Sequence, residues 1–295
     1  MADRTLAHGS ASDDGPQGAT ARPALRLVDG RLVPVDELVA EESPLALYVD
    51  GEELVTLVAS PADLEELVVG FLTSEAIVSG PAQIRWTAID PVAGEAWVVT
   101  VDGSGRRARE RFLRHPAIAS CCGRTRPTAY FQSDLDVVGR TRRPGRGPTL
   151  DVATARDLVR TLEAHTRASL FGATGGVHSA LLARADGSVV AVRSDIGRHN
   201  ALDKLYGHTL LAGTDTARTV VAFSGRISSE VVLKVAKIGS AIVLSKSAPT
   251  TLALDLAAQL GMTAVGFVRD DRLTVYTGPE RIVQGGAGET GPDRA

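Results

Sequence analysis

Apolar and polar positions alternate over residues 45–58, where Leu45, Leu47 and Val49 precede Asp50-Gly51, and Leu54, Val55 and Leu57 follow it. Asp-Gly between two alternating runs predicts a β-hairpin with a tight turn. The period then changes. Leu64, Leu67, Val68, Phe71 and Leu72 recur at helical spacing behind Ser60-Pro61-Ala62-Asp63, which offers a capping hydroxyl, a proline at the first helical position and an acid three residues on. Residues 86–102 predict two strands around Pro91 to Gly94. Val152, Ala155, Leu158, Val159 and Leu162 make one side of a helix over Asp151 to His165. Ser179 to Val192 predicts a hairpin turning at Asp186-Gly187. Strand Thr219–Phe223, helix Ser229–Ile238, strand Ala241–Ser245, helix Thr250–Leu260 and strand Thr263–Val268 follow in alternation. That alternation implies an α/β layered domain with part of its sheet parallel, and in such sheets the loops at the carboxyl ends of strands tend to carry the ligand site.

The pattern divides the chain. Residues 1–24 and 285–295 are poor in large apolar side chains and read as disordered tails. Residues 25–147 read as a smaller α+β part, and residues 148–284 as the α/β domain. At 295 residues the chain is long enough to bury a real core. Its net charge of -3 gives no global drive toward nucleic acid or a membrane. No apolar run approaches the roughly 18 residues that span a bilayer, and the start lacks the pattern of a signal peptide, so a cytoplasmic location is expected. Charge is nevertheless concentrated. Eleven arginines lie between Gly105 and Gly147, opposed only by Glu110, Asp134 and Asp136. Such a block is either a solvated basic loop or a surface that meets an anionic partner.

Both cysteines, Cys121 and Cys122, are adjacent and sit inside this basic block. Adjacent cysteines rarely pair with each other, and no disulfide framework is available, which fits a reducing compartment. The thiolate is the reactive form of cysteine and nearby cations favour it; Arg124 and Arg126 follow directly. Two accidental exposed thiols are the plainer alternative. Three further stretches are dense in polar groups. Phe171 to His178 brings Gly175 and Gly176 up to a histidine. Asp195 to Lys204 packs Asp195, Arg198, His199, Asn200, Asp203 and Lys204 together, which suits a phosphate-bearing or heterocyclic ligand or a solvated helix start. Ser224 to Glu230 and Ser245 to Thr250 each join a strand to a helix, where free amides and Arg226 or Lys246 favour an anion. Zinc would need three or four ligands at short paired spacings, and the scattered histidines do not supply them.

Together these blocks resemble the FdhD family of formate dehydrogenase accessory sulfurtransferases. The resemblance runs from about Glu42 to Gly278 and rests on PLALYVDGEELVTLVASPADLEELVVGFLTSEAIV, FGATGGVHSA, DIGRHNALDKLYG, SGRISSEVVLKVAKIG, SKSAPTTLALDLA and GMTAVGFVRDDRLTVYT. It implies a cytidine-deaminase-like layered α/β domain with a mixed sheet, plus a smaller α+β N-terminal part. It also implies a sulfur carrier. Such a protein accepts sulfur from a cysteine desulfurase as a cysteine persulfide. It passes the sulfur to the molybdenum bis-guanine-dinucleotide cofactor before that cofactor enters formate dehydrogenase. A homodimer is compatible with the family, and neither nucleic acid nor membrane is an expected partner. The family motif is Cys-Gly-x-Cys, whereas this chain reads Ser120-Cys121-Cys122-Gly123-Arg124-Thr125. Alignment on Gly123 makes Cys122 the sulfur-bearing residue, puts Cys121 at a small-residue position and leaves Thr125 in place of the second cysteine. The family's cofactor-binding segment corresponds to Phe267, Val268, Arg269, Asp270, Asp271 and Arg272. Two alternatives compete with this expectation: a molybdenum-cofactor chaperone without catalysis, and a nucleotide-modifying enzyme on a deaminase-like fold, which would require metal ligands.

Overall fold

The computed structural model describes residues 18–114, 147–168, 172 and 174–284. Strands β1 (Ala19–Val28) and β2 (Arg31–Ala40) form an antiparallel hairpin of their own. Its turn is Asp29-Gly30, with φ of 48° and 77°. This corrects the tail expected over residues 1–24, since Ala19 to Ala24 are paired strand; residues 1–17 and 285–295 lie outside the described residues.

Strands β3 (Ser43–Val49), β4 (Glu52–Ala59), β5 (Ile84–Asp90) and β6 (Glu95–Thr100) form a sheet of order β4-β3-β6-β5, in which β3 and β6 run parallel. Asp50 and Gly51 both have positive φ, 52° and 88°, as the expected hairpin turn requires. Helices α1 (Leu64–Ser74) and α2 (Ser104–Arg114) cover one face. Leu45, Leu47, Leu67, Phe71 and Phe112 share that core, and the rings of Phe71 and Phe112 meet edge to face at 6.3 Å. Burial of a side chain such as Phe71 contributes about 1.5–3 kcal/mol. α2 lies at the start of the block that the sequence offered as a solvated basic loop or a surface for an anionic partner; its buried apolar positions Ala108 and Phe112 are one helical turn apart. The cap of α1 also differs from expectation. Asp63, in the left-handed region at φ 54°, precedes the helix, while Ser60 turns away to another task.

The larger part is a six-stranded mixed sheet of order β13-β12-β11-β10-β8-β9, comprising β8 (His178–Arg184), β9 (Val189–Asp195), β10 (Thr219–Phe223), β11 (Ile242–Ser245), β12 (Thr263–Gly266) and β13 (Thr274–Thr277). β10, β11 and β12 are parallel. They are buried on both faces, which is why their sequences are near-continuous apolar runs. Helix α3 (Val152–Ala168) packs on one face. Helices α4 (Arg198–Leu211), α5 (Ser229–Ile238) and α6 (Thr251–Gln259) pack on the other. Short strands β7 (Leu150–Asp151) and β14 (Ile282–Val283) pair at the margin.

The two parts join where α1 crosses α4. A Cβ added to Gly70 would lie 1.9 Å from the carbonyl oxygen of Asp203, and one added to Gly207 would lie 1.8 Å from that of Glu66. The backbones are therefore in direct contact. Beside the crossing, Glu66 accepts hydrogen bonds from Arg193, at 2.7 Å through Nη2, and pairs with His208 at 2.9 Å. Burial alone would raise the Glu66 carboxyl, but the Arg193 and His208 hydrogen bonds outweigh it and hold the group below its ordinary value. The stabilisation from this anchor is thus present above the ordinary carboxylate range and is lost as pH falls through the lowered value.

Candidate functional site

The carboxyl edge of the large sheet gathers most of the polar stretches. β10, β11 and β12 end there, as does β9, while β8 begins there. The turns after β10 and β11 are laced together. Ile227 bridges Pro249, the Ile227 amide donates to Ala248 at 3.2 Å, and the Thr250 amide donates to Ile227 at 3.0 Å. The Ser245 hydroxyl donates to the Gly225 carbonyl at 2.7 Å. Ser228 and Thr250 cap α5 and α6 by accepting from the amides of Val231 and Ala253. These hydroxyls and amides, which sequence offered to an anion, are largely spent on the turns themselves.

The turn after β12 carries the predicted cofactor segment. Phe267 stands in the left-handed region at φ 51°. Its amide donates to Ser247 at 3.3 Å, that of Val268 to Ser245 at 3.0 Å, and that of Arg269 to Arg272 at 2.7 Å. Arg272 lies over the Phe267 ring at 4.6 Å, and the Val268 side chain is buried in the core. Three amides of the segment and three of its side chains therefore hold its shape. Arg269, Asp270 and Asp271 face α3 across a cavity of about 300 Å³, lined also by Arg156, Arg160, Glu163 and Lys246. Asp270 is paired with Arg160 at 2.7 Å, which holds its carboxyl below the ordinary range. Lys246 is paired with Glu163 at 2.6 Å. The Nε of Arg156 is buried, with no hydrogen-bond partner among the described residues. With two cations already matched to acids, Arg156 and Arg269 are the cations left to meet a phosphate, and Asp271 can accept from the donor edge of a base. The α3 contribution was missed in the sequence, where only the apolar side of that helix was read.

The stretch from Asp195 to Lys204 divides differently from either expectation. Asp195 and Lys204 are fully buried and paired at 2.7 Å. One Asp195 oxygen accepts from the Ser60 amide at 3.1 Å and its hydroxyl at 3.0 Å; the other accepts from the Gly197 amide at 2.8 Å and Asn200 at 3.0 Å. Asp203 is buried too, with Lys234 at 2.6 Å, and Lys234 also donates to the Ser74 hydroxyl at 3.0 Å. Neither Asp203 nor Lys204 is a solvated residue, nor is either open to a ligand: Lys204 donates to the Ser60 carbonyl of the small part, and Asp203 holds Lys234, which reaches Ser74 there. Asp195→Ala is expected to cost about 3–5 kcal/mol, because it leaves Lys204 charged and buried beside two carbonyls only. Lys204→Met should cost less, since Asp195 keeps four donors. Chemical denaturation midpoints test this ranking, and a larger loss in Lys204→Met would show that the lysine is the keystone.

What remains near the edge is a group around His178. His199 Nε2 meets Glu230 at 2.7 Å, and His178 Nδ1 lies 3.4 Å from the Ser224 hydroxyl. Burial, then the charges of Arg198 and His199, lower the His178 imidazole below its ordinary value. Cys121 and Cys122 lie outside the described residues, as do Arg124, Arg126, Arg140, Arg142, Arg143 and Arg146. Of the basic block, Arg109 is placed: its Nε donates to the Glu53 carbonyl at 2.9 Å and it pairs with Glu52. Among the described residues no helix is long and apolar enough to cross a membrane.

A mixed α/β sheet with a polar cavity and a histidine group at the carboxyl ends of its strands, joined to a smaller α+β part, defines a protein of the α/β class. The match to known proteins is more specific. The FdhD/NarQ family matches over residues 40–283, and the chain belongs to that family. Proteins named sulfur carrier protein FdhD are similar over most of their length. That of Listeria monocytogenes is 45% identical over 87% of this chain and 96% of its own. That of Geobacillus kaustophilus is 45% identical over 90% and 98%. The one from Bacillus subtilis is 42% identical over 88% and 96%. A crystal structure described as a formate dehydrogenase accessory protein, from Desulfotalea psychrophila, superposes with a TM-score of 0.71 at 27% identity, covering 90% of this chain and 99% of that one.

Proposed function

We propose that this protein is a sulfur carrier that serves formate dehydrogenase. It accepts sulfur from a cysteine desulfurase and delivers it to a molybdenum bis-guanine-dinucleotide cofactor, its substrate, before insertion into the enzyme. The observation that carries the reading is similarity at 45% identity, over nearly the whole length of relatives named sulfur carrier proteins, in a chain whose two cysteines stand together in an arginine-rich stretch. In the loading step the Cys122 thiolate attacks the terminal sulfur of a desulfurase persulfide. A new S–S bond forms on Cys122, and the desulfurase cysteine leaves as thiolate. In delivery the S–S bond breaks: the outer, zero-valent sulfur takes two electrons from the reduced metal of the substrate to become its sulfido ligand, and Cys122 keeps the S–S electron pair and leaves as thiolate. Arg269, Arg156 and Asp271 are the residues this reading assigns to one guanine nucleotide of the substrate.

Incubation with a cysteine desulfurase and cysteine, followed by mass spectrometry of the peptide holding Cys121 and Cys122, tests the carrier. A gain of one sulfur atom is expected. The presence of Thr125 at the second cysteine position favours a different reading, a cofactor chaperone without catalysis. An unchanged peptide mass, with cofactor binding intact, would establish the chaperone. For the nucleotide, titration with GDP is expected to saturate, and Arg269→Ala should weaken it about tenfold, the scale of one charge-assisted hydrogen bond. No saturation at millimolar GDP would remove the cavity from the site.

A further inference from the structure

Helices α1 and α2 cover one face of the small sheet, and the other face is open. An open sheet face is normally polar. Here it is aromatic and apolar. Trp86 is 53% exposed, Val58 49% and Val99 38%. The ring of Tyr48 stacks on that of Trp97, with centroids 4.0 Å apart and planes at 7°. The register sets these side chains on one surface: Trp86 lies opposite Val99, Ala88 opposite Trp97, and Trp97 opposite Tyr48. Leu45, Leu47, Ala96 and Val98, which alternate with them, fill the core on the other side. Both tryptophans of the chain therefore stand on the open face. Contiguous exposed apolar surface of this kind marks a site of interaction.

The charges on this face are nearly all of one sign. Glu53 lies opposite Tyr48, and Glu95 lies opposite Asp90 and Ala46. Glu95 accepts from Trp97 Nε1 at 3.0 Å, Glu53 from the Thr56 hydroxyl at 3.2 Å, and Asp90 from the amides of Val92 and Ala93 at 2.9 Å. Arg109 is taken by Glu52, at the start of β4, and among the described residues Glu53, Glu95 and Asp90 form no ion pair. The one cation in the four strands is Arg85, the extra residue at the bulge of β5. Nucleic acid could stack on the aromatic rings, but its phosphates would meet these acids. A second copy laid face to face would set acid against acid. An arginine or lysine fits, since it stacks on a tryptophan or tyrosine ring and pairs with a neighbouring carboxylate.

We propose that the open face of the small sheet is a docking surface for a partner protein that the chain must meet to serve formate dehydrogenase, and that this partner presents apolar side chains interspersed with arginine or lysine. The aromatic centre supplies the burial, while Glu53, Glu95 and Asp90 select the charge of the partner. The proposal rests on the service to formate dehydrogenase and not on the persulfide chemistry.

A short peptide of alternating leucine and arginine, lacking tryptophan, titrated into the full chain and followed by tryptophan fluorescence, reads this face directly. A saturable change is expected, and the same peptide with glutamate in place of arginine should give none. Glu53→Gln combined with Glu95→Gln should weaken binding about tenfold, as should added salt in the parent. Trp86→Ala should weaken it about tenfold or more, with Trp97 still reporting. In a host lacking its own accessory protein, Trp86→Ser combined with Glu95→Lys, shown to be folded by circular dichroism, should lower formate dehydrogenase activity about tenfold or more. The proposal is overturned if the arginine peptide does not saturate at millimolar concentration, if the glutamate peptide binds as well, or if the folded double variant supports the enzyme like the parent. It is also overturned if the chain alone associates with concentration and shields both tryptophans, which gives the face to a second copy. Tryptophans already shielded from acrylamide in the dilute chain would overturn it too, giving the face to a segment of the chain itself. If no donor adds sulfur to Cys122 while the peptide still binds and the double variant still fails, the docking surface stands and the carrier reading falls.

Discussion

Cys122→Ala is expected to abolish the support this chain gives to formate dehydrogenase in a host lacking its own accessory protein, whereas Cys121→Ala should retain most of it. The asymmetry comes from register. Cys122 directly precedes Gly123, the glycine of the family motif, and Cys121 occupies a position where a small residue suffices. A free thiol titrates near about 8.5, so at neutral pH only a minor fraction is thiolate unless cations favour it. Arg124 and Arg126 follow in sequence and are the groups assigned to that role. Neutralising them should raise the thiol pKa and slow alkylation at neutral pH. Neutralising Arg140, Arg142, Arg143 and Arg146 should leave alkylation alone and weaken association with an acidic partner, an effect that shrinks at high salt. If Cys121→Ala is the dead variant, the sulfur sits one residue earlier and the alignment on Gly123 is wrong.

The second large effect is on folding. Gly70→Ala or Gly207→Ala should each destabilise the protein by about 3 kcal/mol or more, although alanine favours an isolated helix by about 1 kcal/mol over glycine. A methyl group at either position would fall within 2 Å of a carbonyl oxygen on the opposing helix, 1.9 Å for Gly70 and 1.8 Å for Gly207. Neither neighbour is a side chain that can rotate away, so α1 and α4 must move apart. That separation also strains the contacts flanking the crossing: Glu66 with Arg193 and His208, and Lys234 with Ser74. Urea denaturation followed by circular dichroism measures the loss. A midpoint equal to the parent in both variants would show that the helices have slack that the backbone contact does not suggest.

The sequence by itself determined the alternation of strands and helices from Thr219 to Gly266, since each buried strand there is a short apolar run bounded by turn residues. Strand Thr219–Phe223 and helix Ser229–Ile238 fall where the pattern put them. Local chemistry also determined the turns at Asp50-Gly51 and Asp186-Gly187, because positive φ is a property of the residues in the turn. The hairpin of β1 and β2 carried the same signal at Asp29-Gly30, but its strands bury little and so show no clean alternation. Composition and register marked the cysteine pair, and the order of the motif blocks marked the family.

Tertiary structure alone decided what the polar stretches do. Density of charge shows that a segment is special without showing which way it faces. Asp195 is committed to the core because Ser60, 135 residues earlier, supplies two of its donors. Asp203 is committed because Lys234 arrives from another helix at 2.6 Å. His178 and Arg198 came from the same kind of stretch, and among the described residues neither forms an ion pair with a carboxylate; His178 instead meets the Ser224 hydroxyl at 3.4 Å. The cavity beside Arg269 likewise exists because α3 brings Arg156 and Arg160 against a turn more than 100 residues away, Arg160 and Asp270 being 110 apart. Periodicity is local and is written in each element. Whether a charge is neutralised depends on a partner that only the packing of distant elements provides.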